Sequence, residues 1–318
     1  MSVKRADDLS AVKELQFDEV LDLMNVSSPI GLFMAALDRM MEHSGGTIDL
    51  CSIINAKSGA CPEDCSYCAQ SSRSRSDVEV YPLVEDDVIL SNAEEAHKNK
   101  VKRFCIVTSG RSTSGDELKR IAYVITKLRD IGLLPCATLG LLGEDELKIL
   151  KDAGLERYHH NLETSERFFP EICSTHSYTD KLRTIEAAKK VGLSVCSGGI
   201  FGMGESWRDR LDMAYALRDI GVDSIPVNYL MPIEGTPLSG MTIIEPIEAL
   251  AVISIFRLIM PQRQIRVCGG RIQALGELHP LIFTAGADGL LTGNYLTTTG
   301  REYRDDLRVI EQMGFNCA

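Results

Sequence analysis

No stretch of this 318-residue sequence stays apolar for the roughly 20 residues that a bilayer span requires. The best candidate, Ala249 to Phe256, stops at Arg257. The opening residues, MSVKRADDLS, lack the apolar segment of a secretory signal. The expected compartment is therefore the cytoplasm, with no membrane partner. Positive charge is also in deficit: 34 Lys and Arg face 45 Asp and Glu, for a net charge of −11. A chain of that sign repels a phosphate backbone, which argues against a nucleic-acid partner. Internal repeats, low-complexity tracts and long linkers are missing as well. With 44% hydrophobic and 25% charged residues, wholesale disorder and collagen-like sequence are excluded. The chain holds 10 cysteines, which in a reducing compartment read as free thiols or metal ligands rather than disulfides.

Two kinds of hydrophobic period alternate along the chain. Residues 1 to about 45 read as a helical extension, with one helix over 9–25 and a second over 31–44 that Gly45 and Gly46 end. Eight strand candidates follow: Asp49–Asn55, Arg103–Thr108, Leu134–Thr138, Glu156–Leu162, Leu193–Ser197, Asp223–Asn228, Gln264–Cys268 and Asp288–Thr292. Between them lie amphipathic segments such as Asp116–Asp130, Asp180–Val191, Ser206–Ile220 and Pro246–Met260. Gly132, Gly154, Gly192 and Gly221 stand where helices stop before the next strand. Parallel neighbours need crossover helices, and eight strand–helix units close a barrel. The expected fold is α/β: a (β/α)8 TIM-type barrel over residues 46–318, with the helical extension over 1–45. An open doubly wound sheet shares the same element pattern.

The densest chemistry is Cys61-Pro62-Glu63-Asp64-Cys65-Ser66-Tyr67-Cys68, a C-x3-C-x2-C run just after the first strand. Three thiolates this close can converge on one iron–sulfur centre and leave one iron open to an outside ligand. A zinc site completed by a distant residue is the alternative, but no fourth Cys or His stands at short zinc-site spacing. Cys105, Cys136, Cys196 and Cys268 each fall in a strand candidate. Singly, each has the bland reading of a small buried hydrophobe. Jointly, inward residues from different strands meet inside a barrel. Arg266 and Cys268, two apart, share a face. Cys51, Cys173 and Cys317 show no such partners and read as structural.

These residues resemble the radical S-adenosylmethionine (SAM) superfamily, and the string from Asn55 to Gln70 is similar to the biotin synthase family. The resemblance continues through Arg103-Phe104-Cys105, Cys136 to Gly140, His160 to Ser165, Val195 to Glu205, Ile225 to Asn228, Arg266 to Arg271 and Leu296 to Thr299. It implies sulfur insertion into dethiobiotin. It also implies a [4Fe–4S] cluster on Cys61, Cys65 and Cys68 whose open iron binds SAM, and an auxiliary cluster that donates sulfur. By the same resemblance Tyr67 lies beside the adenine, Gly198, Ile200, Gly202 and Glu205 form the motif flanking it, and Glu163 faces the ribose hydroxyls. Asn161 and Asn228 bind the ureido ring, whose donor and acceptor an amide can match, and Thr297 and Thr298 lie near the substrate carboxylate. A flavodoxin or ferredoxin as electron donor and a homodimer are implied too.

Three departures from the family pattern stand out. His159 replaces the usual Asn. Lys181 stands where an Arg pairing with the SAM carboxylate is expected, keeping the charge but losing the bidentate fork. Cys268 replaces Ser beside Arg266, the expected fourth auxiliary ligand after Cys105, Cys136 and Cys196. Either Arg266 with a [2Fe–2S] cluster or Cys268 with a four-iron cluster completes that set, and the sequence leaves both open. Sister enzymes that share the first triad are a hydrogenase-cofactor maturase and a methylornithine synthase; a non-catalytic iron–sulfur carrier is an alternative of another class, and the three-ligand triad argues against it.

Overall fold

Alternating strands and helices close into a barrel in the computed structural model, which describes residues 29–296 and 300–318. Helix α1 (Pro29–Ser44) precedes strand β1 (Thr47–Lys57), and the units α2 (Asp86–Lys98), β2 (Arg103–Thr108), α3 (Gly115–Ile131), β3 (Leu134–Thr138), α4 (Glu144–Asp152) and β4 (Arg157–His159) follow. The second half runs α5 (Phe169–Ile172), α6 (Tyr178–Lys190), β5 (Ser194–Cys196), β6 (Gly199–Phe201), α7 (Trp207–Ile220), β7 (Ser224–Tyr229), α8 (Pro246–Ile259) and β8 (Gln264–Val267). It closes with α9 (Arg271–Leu275), β9 (Gly289–Leu291), α10 (Tyr303–Gln312) and β10 (Asn316–Cys317). All strand pairs are parallel, in the order β1-β2-β3-β4-β5-β7-β8-β9, and β9 pairs back onto β1. The open-sheet alternative is thereby excluded. The expected helix over 9–25 lies outside the described residues.

The expected strands recur with two changes. The fifth barrel strand is split into β5 and β6 at Ser197-Gly198, and β4 is shorter than the expected span. Both changes have one cause. The Gly198 N–H donates to the Asn161 side-chain Oδ1 at 3.1 Å rather than to a backbone carbonyl. Glu163 then takes a left-handed φ of 73°, uncommon for a side chain with a Cβ, and pairs with Gly199 across the break. The chain also adds β10, which extends the barrel beside the start of β1. Helices α2, α4 and α10 fill the remaining strand-to-strand connections, and α4 buries Leu147 and Leu150.

The helix ends follow local chemistry. Gly132 and Gly221 end α3 and α7 with φ of 96° and 72°, the left-handed region glycine enters freely. Ser177 and Ser206 open α6 and α7 by accepting from the Asp180 and Asp209 backbone N–H groups. Arg257, which interrupts the apolar run of α8, is fully buried. It pairs with Asp288 at 2.8 Å and donates to the carbonyls of Gly286 and Arg263, tying α8 to the start of β9. Helix α1 packs its Leu32, Phe33, Ala36 and Met40 face inward, and a Cβ at Gly286 would meet Ala36 at 3.1 Å. Among the described residues no helix is long and apolar enough to cross a membrane.

A Cβ at Gly198 would lie 2.1 Å from the Pro226 carbonyl oxygen, which belongs to the neighbouring strand and cannot yield. Gly198→Ala should therefore lower unfolding stability by about 2–3 kcal/mol, read from urea midpoints at constant slope. A variant as stable as the parent would contradict this account of the split strand.

Candidate active site inside the barrel

Period-two alternation decides which side chains enter the lumen. On β2 the inward set is Arg103, Cys105 and Val107; on β4 and its extension it is Arg157, His159, Asn161 and Glu163; on β8 and beyond it is Arg266 and Cys268. These residues, with Cys51, Cys136, Cys196, Ile200, Asn228, Tyr67 and Cys68, line one cavity of about 350 Å³. That volume suits a small organic ligand.

Thiols crowd the interior. Cys105 and Cys136 are direct register partners on β2 and β3, and Cys51, Cys105, Cys136 and Cys268 pack in one buried cluster with Val107 and Leu291. Cys196 lines the same cavity. Cys51, read from sequence as structural, is thus a fifth lumen thiol. The signal that would have found it is its place on β1, two residues before the inward Ile53.

Three guanidinium groups stand beside these thiols, each on an inward position. Arg103 pairs with Glu156, and Arg157 donates to Ser194 at 3.0 Å and Gln264 at 2.9 Å. Burial raises the pKa of Cys51 to about 12 and also raises that of Cys196, while Arg266 opposes the shift at Cys51 and Arg157 and Arg266 oppose it at Cys196. Cys136 is lowered, first by its hydrogen bond with Cys105, against burial, and then by Arg103 and Arg157. The arginines therefore favour the thiolate, the form that binds iron.

Arg266 itself is fully engaged. Its Nη2 donates to the Asp49 carboxylate and to Gln264 Oε1 at 2.8 Å, and its Nη1 donates to the carbonyls of Asp49 at 3.2 Å and Leu290 at 3.3 Å. Burial works against the cation, but Asp49 and the nearby thiols Cys51 and Cys268 hold its pKa well above the ordinary value.

The first cysteine triad sits at the C-terminal mouth, where barrels of this kind carry their chemistry. Its loop is folded on itself: Cys61 N–H donates to the Gln70 carbonyl at 3.1 Å, Ser72 N–H to the Cys61 carbonyl at 2.8 Å, and Cys68 N–H to the Cys65 carbonyl at 3.0 Å. Cys68 is raised to about 11 by burial and, after hydrogen bonding is counted, by its neighbour Cys61. Cys68 and Tyr67 face the cavity, and the Tyr67 phenol interacts with Glu163. Three soft donors held by backbone hydrogen bonds at the rim of a lumen suit an iron–sulfur cluster.

The remaining candidates divide by where their side chains end. Burial raises the Glu163 pKa against the opposing charge of Lys181, whose Nζ lies 4.0 Å from Glu163 and donates to the Asn161 carbonyl at 3.0 Å. Asn161 donates to Glu163 at 3.2 Å, and Asn228 donates to the Gly199 carbonyl at 3.1 Å while accepting from Gly269 N–H at 3.0 Å. Of the four-residue motif, Ile200 reaches the cavity. Glu205 instead closes the turn, accepting from the N–H groups of Gly202 at 2.9 Å and Met203 at 2.7 Å and from Arg210 at 2.7 Å. Gly198 lacks a Cβ because of Pro226, so its close approach is to a strand. Thr297 and Thr298 lie outside the described residues.

A closed barrel, a triad loop at its mouth and a thiol-lined lumen define a radical SAM barrel protein. The Radical SAM superfamily model matches residues 56–232, and the Biotin and Thiamin Synthesis associated domain matches 226–316. A biotin synthase of Thermodesulfovibrio yellowstonii is 52% identical over 298 residues, covering 94% of both chains. One from Pelotomaculum thermopropionicum is 46% identical over 303 residues, again covering 94% of each. The chain belongs to the biotin synthase family. Solved structures of methylornithine synthase (TM-score 0.83, 20% identity, 98% of this chain and 97% of that one) and of the FeFe-hydrogenase maturase HydG from Carboxydothermus hydrogenoformans (0.84, 16%, 98% and 78%) share the fold.

His159 hydrogen-bonds Thr138 at 2.8 Å, and burial lowers its pKa from 6.5 to about 4. It is neutral at pH 7. The unfolded chain binds a proton at this residue at pH 5 and the folded chain does not, so its contribution falls with pH, by about 2 kcal/mol between pH 8 and 5. His159→Asn should lose correspondingly less stability over that range in urea unfolding. Identical losses in both proteins would contradict a buried neutral imidazole.

Proposed function

We propose that the chain closes the sulfur-containing ring of biotin by inserting sulfur into dethiobiotin at unactivated carbons. One observation supports the reading: Cys68 of the first triad and the interior thiols Cys105, Cys136, Cys196 and Cys268 line the same lumen, whose wall also carries Asn161, Asn228 and Glu163. Cys61, Cys65 and Cys68 would hold the [4Fe–4S] cluster and SAM, while Cys105, Cys136 and Cys196 would hold the sulfur-donating centre. Once bound, the two clusters and SAM supply radical hydrogen abstraction and a sulfide, chemistry that no side chain provides.

The chain's own residues do the positioning. Tyr67 and Ile200, which line the cavity, would flank the adenine, and Glu163 would accept from a ribose diol, which a carboxylate can do with both oxygens. Asn161 and Asn228 would present amide groups to the ureido ring. The closed barrel keeps water and stray hydrogen donors from a reactive intermediate. An electron donor of the flavodoxin or ferredoxin type, a homodimer and a cytoplasmic setting complete the proposal.

Cys268 is the fourth auxiliary ligand in this reading. A guanidinium binds iron only after losing a proton, and Arg266 is pinned as a cation by Asp49. Cys268 offers a soft sulfur ligand on the same strand face; burial raises its pKa well above the ordinary value against the opposing charges of Arg266 and Arg271, so iron binding would displace the thiol proton. Four thiolates suit a four-iron centre.

The deciding assay combines the anaerobically reconstituted chain, SAM, a reductant and dethiobiotin, with mass spectrometry for biotin and 5′-deoxyadenosine. Both products are expected. Cys61→Ala should lose both, whereas Cys136→Ala should keep deoxyadenosine and lose biotin. Deoxyadenosine without biotin from the parent chain would overturn the substrate assignment. Separately, two four-iron clusters predict about eight irons per chain. Cys268→Ser should lower that count and change the auxiliary Mössbauer signal; an unchanged auxiliary cluster would return the fourth position to Arg266.

A further inference from the structure

The N-terminal end of the barrel, opposite the triad loop, carries a layer of arginines. Arg103 and Arg157 open β2 and β4, and Arg266 stands two residues into β8. All three are buried and line the lumen. Arg103 precedes Cys105 by two residues and Arg266 precedes Cys268 by two, so the layer lies directly beneath the interior thiols. Arg157 is the register partner of Cys136. The acidic partners lie nearer solvent: the Glu156 side chain, paired with Arg103, is 38% exposed, and that of Asp49, paired with Arg266, is 18% exposed. Gln264 Oε1 knits the layer, accepting from Arg157 at 2.9 Å, Arg266 at 2.8 Å and the Ser224 hydroxyl at 2.9 Å. At Arg103 a single side chain therefore spans from the lumen to a partly exposed carboxylate.

Neither the charge nor the hydrogen bonding of this layer is complete. Three guanidinium cations meet two carboxylates, Glu156 and Asp49, and the partners of Arg157, Ser194 and Gln264, are neutral. Arg103 donates to Glu156 through Nη1, while its Nε is buried and has no partner among the described residues. A buried donor without an acceptor is uncommon and costly, and a bound ligand removes the cost. One surplus positive charge and one free donor suit a small monoanion. The reaction proposed above consumes sulfur from the centre directly overhead, and the sulfur species of that size and charge is hydrosulfide. We infer that the arginine layer is a binding site for hydrosulfide, on the side of the auxiliary thiols remote from Asn161 and Asn228. The choice of anion rests on the proposed function; the site itself rests on the arginines.

Crystals of the full chain soaked in sodium bromide, with anomalous scattering at the bromine edge, test the site directly. Bromide should contact Arg103 Nε and be displaced when sodium hydrosulfide is added. Arg103→Met should abolish the bromide peak, whereas Glu156→Gln, which removes a competing carboxylate at a partly exposed position, should strengthen it. The second readout is anaerobic cluster rebuilding at rising sodium sulfide, with interior and mouth clusters followed separately by Mössbauer spectra. The interior rate should saturate with sulfide. Arg103→Met should raise the half-saturating concentration several-fold while the mouth cluster forms as in the parent, and Glu156→Gln should lower it. Arginines that only offset thiolate charge would change the final amount of interior cluster and leave the half-saturating concentration where it was. That result would overturn the inference, as would a parent layer that takes no bromide or bromide that hydrosulfide does not displace. Bromide displaced by hydrosulfide in a parent chain that rebuilds no interior cluster would support the site and count against the proposed function.

Discussion

Closure of eight parallel strands with a two-residue side-chain period is the constraint from which the rest follows. It compels every second residue of each strand to point into the lumen, and it makes buried polar inward residues costly unless they compensate one another. Here the inward positions carry cysteines and arginines, and each class makes the other tolerable. Arg103, Arg157 and Arg266 lower the cost of thiolates in the interior, while the thiols and Asp49 hold Arg266 as a cation.

Much of this was legible in the sequence because it depends on period and local stop signals. The strands Arg103–Thr108 and Leu134–Thr138 match the structure residue for residue. The glycines at 132, 154, 192 and 221 all take positive φ as helix stops. What escaped depends on contacts between distant segments. Cys51 is marked only by its two-residue spacing from Ile53 on β1 and is placed in the lumen by ring closure of β1 onto β9, whereas Cys173 has no sequence neighbour that marks it and is brought beside Cys65 by a loop that folds back more than a hundred residues later. The broken fifth strand was equally hidden, since it turns on one Asn161 side chain replacing a backbone acceptor.

The same contacts refine how individual residues are read. Gly198 and Gly199 are explained by the Pro226 and Glu163 carbonyls from neighbouring strands, at 2.1 Å and 2.4 Å from a hypothetical Cβ, and Gly202 and Gly204 by their positive φ of 94° and 102°. Lys181 is turned inward against Asn161 and Glu163 rather than into the cavity. Glu163 is held between that cation and a left-handed backbone, a strained arrangement of the kind that collects at functional sites. The residues that line the cavity and the residues that shape its walls are thus interleaved along the same short motifs.

The central claim is that two iron–sulfur centres share this one lumen. Anomalous scattering at the iron edge from crystals grown without oxygen tests it most directly. The account predicts two iron centres, one bound by Cys61, Cys65 and Cys68 at the mouth and one in the interior touching Cys105, Cys136, Cys196 and Cys268. A single centre, or a second one away from those four sulfurs, would contradict it.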